Sequence, residues 1–252
     1  MKAKRNDLIK EYILEKEHVT LKELEETFNV SMNTIRRDVA KIITDPRFEK
    51  VYGGVSVKKN KLISFENRSI KNKEVKQKIA EEAAKLIQPH DLIYIDSGTT
   101  TKYILDYLPK DIEMTIITNS LDIVLKAEVF EKIQVFLLGN MFKRSTRSFV
   151  GITPDQITNK YNISKAFMAA TAVSIDNGMM NSDLMEYEIK KHIVDKAANI
   201  YLLADKSKFE KSTLLTYASL DQVDKIITDK EFDATYLDFF NEKQIEPITV
   251  DI

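Results

Sequence analysis

The stretch "TLKELEETFNVSMNTIRRDVAKII", residues 20–43, reads as two short helices joined by a tight turn. Thr20 suits the cap of the first helix, because its hydroxyl can accept from a backbone N–H left over at a helix start. Leu21, Leu24 and Phe28 then fall on one face. Asn29 tolerates a left-handed backbone at low cost and makes the turn with Val30. Ser31 is placed to cap the second helix, whose Ile35, Val39 and Ile42 face inward. Upstream, Leu8, Ile9, Tyr12 and Ile13 recur at helical spacing and predict one more helix with an apolar stripe. A helix, a turn of about three or four residues and a second helix make a helix-turn-helix.

The outer face of the last helix carries Ser31, Asn33, Thr34, Arg36 and Arg37, with Lys41 further along. Near a helix N-terminus such donors and acceptors suit base edges and phosphates, as a recognition helix requires. An ordinary amphipathic helix with a solvated Arg pair would explain the charges but not the spacing of the two helices. Next, "FEKVYGGVSV", residues 48–57, alternates around a Gly-Gly pair and predicts two short strands with a tight turn. A hairpin there is the wing of a winged helix, with Lys50, Tyr52 and Gly53 near the DNA backbone or minor groove, as is Thr20.

The chain has 252 residues, enough for one small and one medium domain. Its formal net charge of −1 conceals a strongly basic stretch at residues 58–78 followed by an acidic body. A polyanion partner is therefore expected at the N-terminal third, unless the basic stretch is only a solvated linker. With no cysteine there is no disulfide or thiolate chemistry. His18, His90 and His192 lack metal-ligand spacing, so neither a metal nor a cofactor is expected. No apolar run spans a membrane and the N-terminus does not read as a secretory signal, so a cytoplasmic protein is expected.

From residue 91 onward the apolar runs "LIYID", "MTIIT", "KIQVFLLG", "KAFMAATAV", "NIYLLAD", "KIIT" and "PITV" alternate with helical patterns. That alternation predicts an α/β fold with a mostly parallel sheet and helices on both faces. Ligands of such sheets sit at the carboxyl ends of the strands, where this sequence is polar. "LIYI" runs into Asp96, Ser97, Gly98, Thr99, Thr100 and Thr101, a turn and helix start suited to an anion, though equally readable as a capping turn. It is not a nucleotide P-loop, because the long Gly-rich span and its Lys are missing. Other strand ends supply Thr118, Asn119 and Ser120, then Gly139, Lys143, Arg144, Arg147, Ser148 and Gly151, and finally Asp205 and Lys208. Glu186 and Lys190 stand one helical turn apart, as site residues or as a surface ion pair. Polar groups converging from several strand ends point to a binding site.

"VTLKELEETFNVSMNTIRRDV" with "VYGGV", and then "DSGTTT", "TNSLDI", the "LLG" strand and "ADKSKF", resemble the DeoR family of bacterial transcription regulators from about residue 5 to residue 230. The usual wing His is Tyr52 here, and Asn140 replaces a frequent second Gly. The resemblance implies a winged helix-turn-helix followed by an effector domain similar to ribose-phosphate isomerase and glucosamine-phosphate deaminase. It also aligns Arg68, Asn72 and Lys76 with a recurrent Arg, Asn and Lys, and Lys76 is expected near the ligand. "FENRSI", "KRSTRSFVG", "NSDLMEYEIKK" and "KSTLLTYA" resemble the branch of the family that represses myo-inositol catabolism. That branch implies a phosphorylated keto-acid effector, 2-deoxy-5-keto-D-gluconate 6-phosphate, for which Arg144 and Arg147 would supply a second cationic anchor.

The expected organisation is a DNA-binding domain over residues 1–58, a basic linker and the start of a connecting helix over 59–78, and an effector domain over 79–252. The competing class is a sugar-phosphate isomerase or deaminase, which needs a carboxylate poised over the substrate carbon. "KAFMAATAVSIDNGMMNSD" is small and apolar until Asp176 and offers no acidic cluster, so catalysis is not expected, although Glu186, Lys190, Asp205 and Lys208 could still form an acid-base set. A third class, a DNA-binding scaffold without a ligand, leaves the cationic "KRSTR" unexplained. The expected partners are operator DNA, a phosphorylated sugar or keto acid, and further copies of the chain, with no membrane.

Overall fold

In the computed structural model, which describes residues 2–16, 18–45, 48–51, 53–57, 65–151 and 161–251, the chain divides into two units, residues 1–63 and 64–252. The first unit holds α1 (Lys2–Lys16), β1 (His18–Thr20), α2 (Leu21–Phe28), α3 (Met32–Ile42), β2 (Phe48–Val51) and β3 (Gly54–Val57). Its core comprises Ile9, Ile13, Val19, Leu24, Ile35, Val39, Ile42, Phe48 and Val55. Leu8, expected in the α1 stripe, is instead exposed.

The turn chemistry follows from the residues. Thr20 Oγ1 accepts from Glu23 N at 3.1 Å, and Asn29 takes a left-handed φ of 48°. Ser31 occupies the cap of α3 with extended backbone, but its hydroxyl pairs with Thr34 Oγ1 at 3.1 Å and bonds no backbone N–H. Arg5 clasps the buried Asp38 through Nε at 2.9 Å and Nη2 at 2.7 Å, tying α1 to α3. The predicted wing hairpin is present as β2 and β3, with Gly53 at a φ of +76°. β1 adds an unforeseen third strand to it, and Gly54 is required there because a Cβ would lie 2.2 Å from Val19 O.

The second unit begins with α4 (Phe65–Ile70) and α5 (Lys73–Ala84), formed by residues read from the sequence as linker and the start of a connecting helix. β4 (Leu92–Ile95), β5 (Met114–Thr118), α6 (Leu121–Ala127), β6 (Ile133–Leu137) and the hairpin β7 (Met141–Lys143) and β8 (Ser148–Val150) follow. Then come β9 (Lys165–Ala169), β10 (Ala172–Ser174), β11 (Gly178–Asn181), α7 (Leu184–Val194), β12 (Asn199–Leu203), β13 (Leu215–Ala218), β14 (Lys225–Thr228), α8 (Ala234–Lys243) and β15 (Glu246–Thr249).

The seven apolar runs of the sequence form one sheet, ordered β15-β14-β12-β9-β4-β5-β6, with every neighbouring pair parallel. The five inner strands bury both faces, whereas the edge strands β6 and β15 are largely exposed. Ile93 and Ile95 join a cluster with Ile79 and Ala83 of α5, while Tyr94 between them joins one with Ile189 of α7 and Phe240 of α8. Helices therefore cover both faces. β4 leads outward to β5 and β6, whereas β9 leads the other way to β12, β14 and β15, so the strand order reverses between β4 and β9. At such a reversal the loops part and leave a crevice at the carboxyl ends. The segment after "DSGTTT" is a 3-10 helix, Thr101–Tyr107, where the sequence suggested an α-helix. Its β-branched and aromatic residues crowd an α-helical turn.

No helix among the described residues is long and apolar enough to cross a membrane. Leu24 is fully buried in the small core of the first unit. Leu24→Ala should destabilise that unit by about 2–4 kcal/mol. Calorimetry should show an earlier transition for it beside an unmoved transition for the second unit; a single shifted transition would contradict this.

Candidate functional site

α3 turns Ile35, Val39 and Asp38 inward and leaves Ser31, Asn33, Arg36, Arg37 and Lys41 exposed, with Thr34 half-buried. Arg36 and Arg37 have no partner among the described residues, so both guanidinium groups are available for phosphates and base edges. Lys50 and Gly53 are exposed on the wing. Thr20 is exposed, with its hydroxyl engaged in the α2 cap, and Tyr52 lies outside the described residues.

In the second unit a cleft opens at the carboxyl ends of β4, β9 and β12. Its walls are Arg68, Ser97, Gly98, Thr99, Thr100, Ala169, Ala170, Thr171, Asn181, Glu186, Lys190, Leu203 and Lys208. Asp96 organises it: Oδ1 accepts from Ser97 N at 2.8 Å, and Oδ2 accepts from Ala169 N at 2.9 Å and pairs with Lys190. Lys190 also donates to Ala169 O at 2.8 Å. Gly98 is needed because a Cβ would fall 2.3 Å from the Cβ of Ala169. Thr101 Oγ1 donates to Asp96 O at 2.6 Å and accepts from Gly98 N at 3.0 Å. The loop thereby uses the N–H groups of Ser97 and Gly98 internally, while those of Thr99 and Thr100 meet no acceptor among the described residues. Unused N–H groups in a crevice are anion ligands.

The cations of the cleft come from distant parts of the chain. Arg68 on α4 and Lys208 beyond β12 are both half-buried, and Arg68 Nε has no hydrogen-bond partner among the described residues. Burial lowers the pKa of Arg68 despite the pull of Glu186 and Asp96, and it lowers that of Lys208 despite Asp205. Burial pushes Asp205 up, but the Ser207 side chain, the charges of Lys208 and Lys76 and the Asn72 amide outweigh it and leave its pKa lowered; Oδ1 accepts from Ser207 N at 3.0 Å. Asp205 Oδ1 also accepts from Asn72 Nδ2 at 3.1 Å, while its Oδ2 is unpartnered. Buried Lys76 donates to Lys71 O at 2.8 Å and to Arg68 O, fastening the end of α4 to α5. Burial depresses it to about 8, against the attraction of Asp205.

Other expected site residues lie elsewhere. Thr118 Oγ1 donates to Ile95 O at 2.6 Å, Asn119 Oδ1 accepts from the Tyr94 hydroxyl at 2.9 Å, and Ser120 caps α6, so this buried trio holds strand ends together and does not line the cleft. Gly139 and Gly151, at φ of +96° and +78°, frame the β7–β8 hairpin. Lys143 pairs with Asp183, the cap of α7; Arg147 pairs with Asp122 in the first turn of α6, at 2.9 and 2.6 Å; Arg144 is exposed. None of these three cations lines the cleft, because helix-start carboxylates hold two of them. Ser148 does not line the cleft but braces it from behind, donating to Glu186 Oε1 at 2.8 Å. Glu186 and Lys190 are not a surface pair: both are buried, and Lys190 pairs with Asp96.

The pattern of the DeoR-like helix-turn-helix domain matches residues 5–61, and that of the DeoR C terminal sensor domain matches residues 71–230. The chain belongs to the DeoR family. The HTH-type transcriptional regulator IolR of Bacillus subtilis is 51% identical, over 97% of this chain and 98% of that protein. The lactose phosphotransferase system repressor of Streptococcus mutans is 29% identical, over 92% of this chain and 94% of that protein. Among solved structures, ribose 5-phosphate isomerase A of Methanocaldococcus jannaschii aligns over 55% of each chain at 20% identity with a TM-score of 0.40.

In this DeoR-family cleft, Thr171 and Asn181 have no motif that reveals them, and Arg68 and Asn72 were visible only through the family resemblance. Lys76 titrates at about 8 in the fold and at 10.5 when unfolded, so between those values the unfolded chain binds more protons and stability rises with pH. Wild-type protein should therefore gain on Lys76→Met by up to about 3 kcal/mol across that window. Chemical denaturation of both at several pH values checks this; a constant gap would mean that Lys76 is not depressed.

Proposed function

We propose that this DeoR-family regulator represses a carbohydrate catabolism operon, that of myo-inositol, and leaves its operator when a phosphorylated sugar or keto acid fills the cleft. 2-Deoxy-5-keto-D-gluconate 6-phosphate is the effector that the sequence resemblance favours, and the 51% identity to IolR supports the same branch. The observation that carries the proposal is the cleft itself. Two open N–H groups, at Thr99 and Thr100, face a site shared with Arg68 and Lys208, the donor set that a phosphate requires.

In this reading α3 enters the major groove, with Arg36 and Arg37 toward phosphates and base edges and the wing beside it. Two or more copies bind repeated half-sites, which multiplies affinity. Coupling runs through the chain: α4 follows directly on the DNA-binding unit in sequence and carries Arg68 into the cleft. An effector that binds the released state about 100-fold tighter shifts the equilibrium by about 2.7 kcal/mol, enough to lower operator affinity by a similar factor. We read the cleft as a recognition site because the 51% identical relative is a transcriptional regulator and Lys190 is committed to Asp96. The protein acts in the cytoplasm, where its operator is.

Gel shift of an operator fragment against a panel of sugar phosphates, including the keto-acid phosphate, tests the proposal. Release by one member and turnover of none is expected; turnover would establish an enzyme. Arg36→Ala should lose roughly ten- to hundredfold in operator affinity while still binding the effector in calorimetry. Lys208→Ala should bind the operator and resist release, and a normally released variant would remove Lys208 from the site.

A further inference from the structure

We infer that Glu186 sets the specificity of the cleft, accepting hydrogen bonds from the hydroxyl groups of a phosphorylated polyhydroxy ligand whose phosphate Arg68 and Lys208 hold. This rests on the reading of the cleft as an anion-sensing site.

Glu186 is a buried carboxylate among the cations of the cleft, and among the described residues no Lys, Arg or His forms an ion pair with it. Asp96 is different, since Lys190 and two backbone N–H groups satisfy it. Glu186 Oε1 accepts from Ser148 Oγ at 2.8 Å and, at a long 3.4 Å, from Ser97 Oγ; Oε2 accepts only from Asn181 Nδ2, also at 3.4 Å. A carboxylate offers about four acceptor positions. One short bond and two long ones leave capacity on the oxygen pair that borders the cleft. A buried charge is costly unless hydrogen bonds complete its shell, and ligand hydroxyls are neutral donors that do so.

The surroundings hold Glu186 in this role. Asp183 caps α7 by accepting from Met185 N at 3.1 Å and Glu186 N at 3.2 Å, which fixes the backbone under the carboxylate. Thr171 Oγ1 donates to Asn181 Oδ1 at 3.1 Å, so the amide presents its N–H side to Glu186. The same negative charge repels any anionic group placed beside it. A bound ester is therefore oriented with its phosphate on Arg68, Lys208 and the N–H groups of Thr99 and Thr100, and its carbinol hydroxyls on Glu186. Sites built to bond a hydroxyl reject analogues that lack it far more strongly than apolar pockets discriminate size.

Calorimetry on the full chain compares inorganic phosphate, which reads the anion anchor alone, with 2-deoxy-5-keto-D-gluconate 6-phosphate. Glu186→Gln should weaken the keto-acid phosphate by about ten- to hundredfold and inorganic phosphate much less. Equal loss for both would mean that Glu186 only braces the loop through Ser97 and Ser148, and no loss for the keto-acid phosphate would also overturn the inference. Wild-type protein gives a second measurement that needs no variant: glycerol 3-phosphate should bind at least about tenfold tighter than n-propyl phosphate, and equal affinities would overturn the inference. If wild-type protein binds none of these phosphates, the sensor-site reading itself falls, and the inference with it.

Discussion

The ion pair between Asp96 and Lys190 joins residues 94 apart in the chain and closes the point where the sheet reverses its winding. Asp96 hangs from the end of β4, its second oxygen takes the N–H of Ala169 at the end of β9, and Lys190 on α7 bonds both Asp96 and the carbonyl of Ala169. Three elements thereby meet at one buried contact. Removal of either partner alone would strand a charge inside the protein, at a cost of about 3–5 kcal/mol. With that contact made, the loop carrying Thr99 and Thr100 can stand only where it does, beside the crevice that the strand order creates.

The same pair decides the electrostatics of the cleft. Lys190 and Asp96 neutralise each other, so the positive character of the site comes from Arg68, Lys208 and the nearby Lys76. Burial lowers the pKa of all three, and Arg68 and Lys208 each add to the depression of Lys76. The cleft therefore gathers cations that are short of solvent and repel one another. α4, the first helix after the DNA-binding unit in sequence, carries Arg68 to it and is fastened at its end to α5 by Lys76.

Much of this was legible in residue order. The cap at Thr20, the left-handed Asn29 and the wing turn at Gly53 are local events governed by one side chain and its neighbours. The inner strands of the sheet were legible because a strand buried on both faces must be apolar throughout, while the edge strands β6 and β15 kept apolar residues although largely exposed. β1 was not, since the three residues His18–Thr20, paired along β3, carry no usable periodicity. The cleft was half legible: "DSGTTT" marked its loop, but "KRSTR" pointed to cations that Asp122 and Asp183 hold outside it. A charge shows in a sequence, whereas its partner does not.

By itself, the sequence determined the helix-turn-helix, the exposed arginines of α3, a mostly parallel sheet and the polar character of its strand ends, because each follows from spacing within a few turns or one strand. Only the tertiary structure decided which charges line the cleft. It brought Arg68 and Lys208 to one crevice, withdrew Lys143 and Arg147 to helix starts, and left Glu186 buried with no ion pair among the described residues. The physical reason is that an ion pair is a contest among all carboxylates and cations brought within a few ångströms, and the strand order alone sets that company.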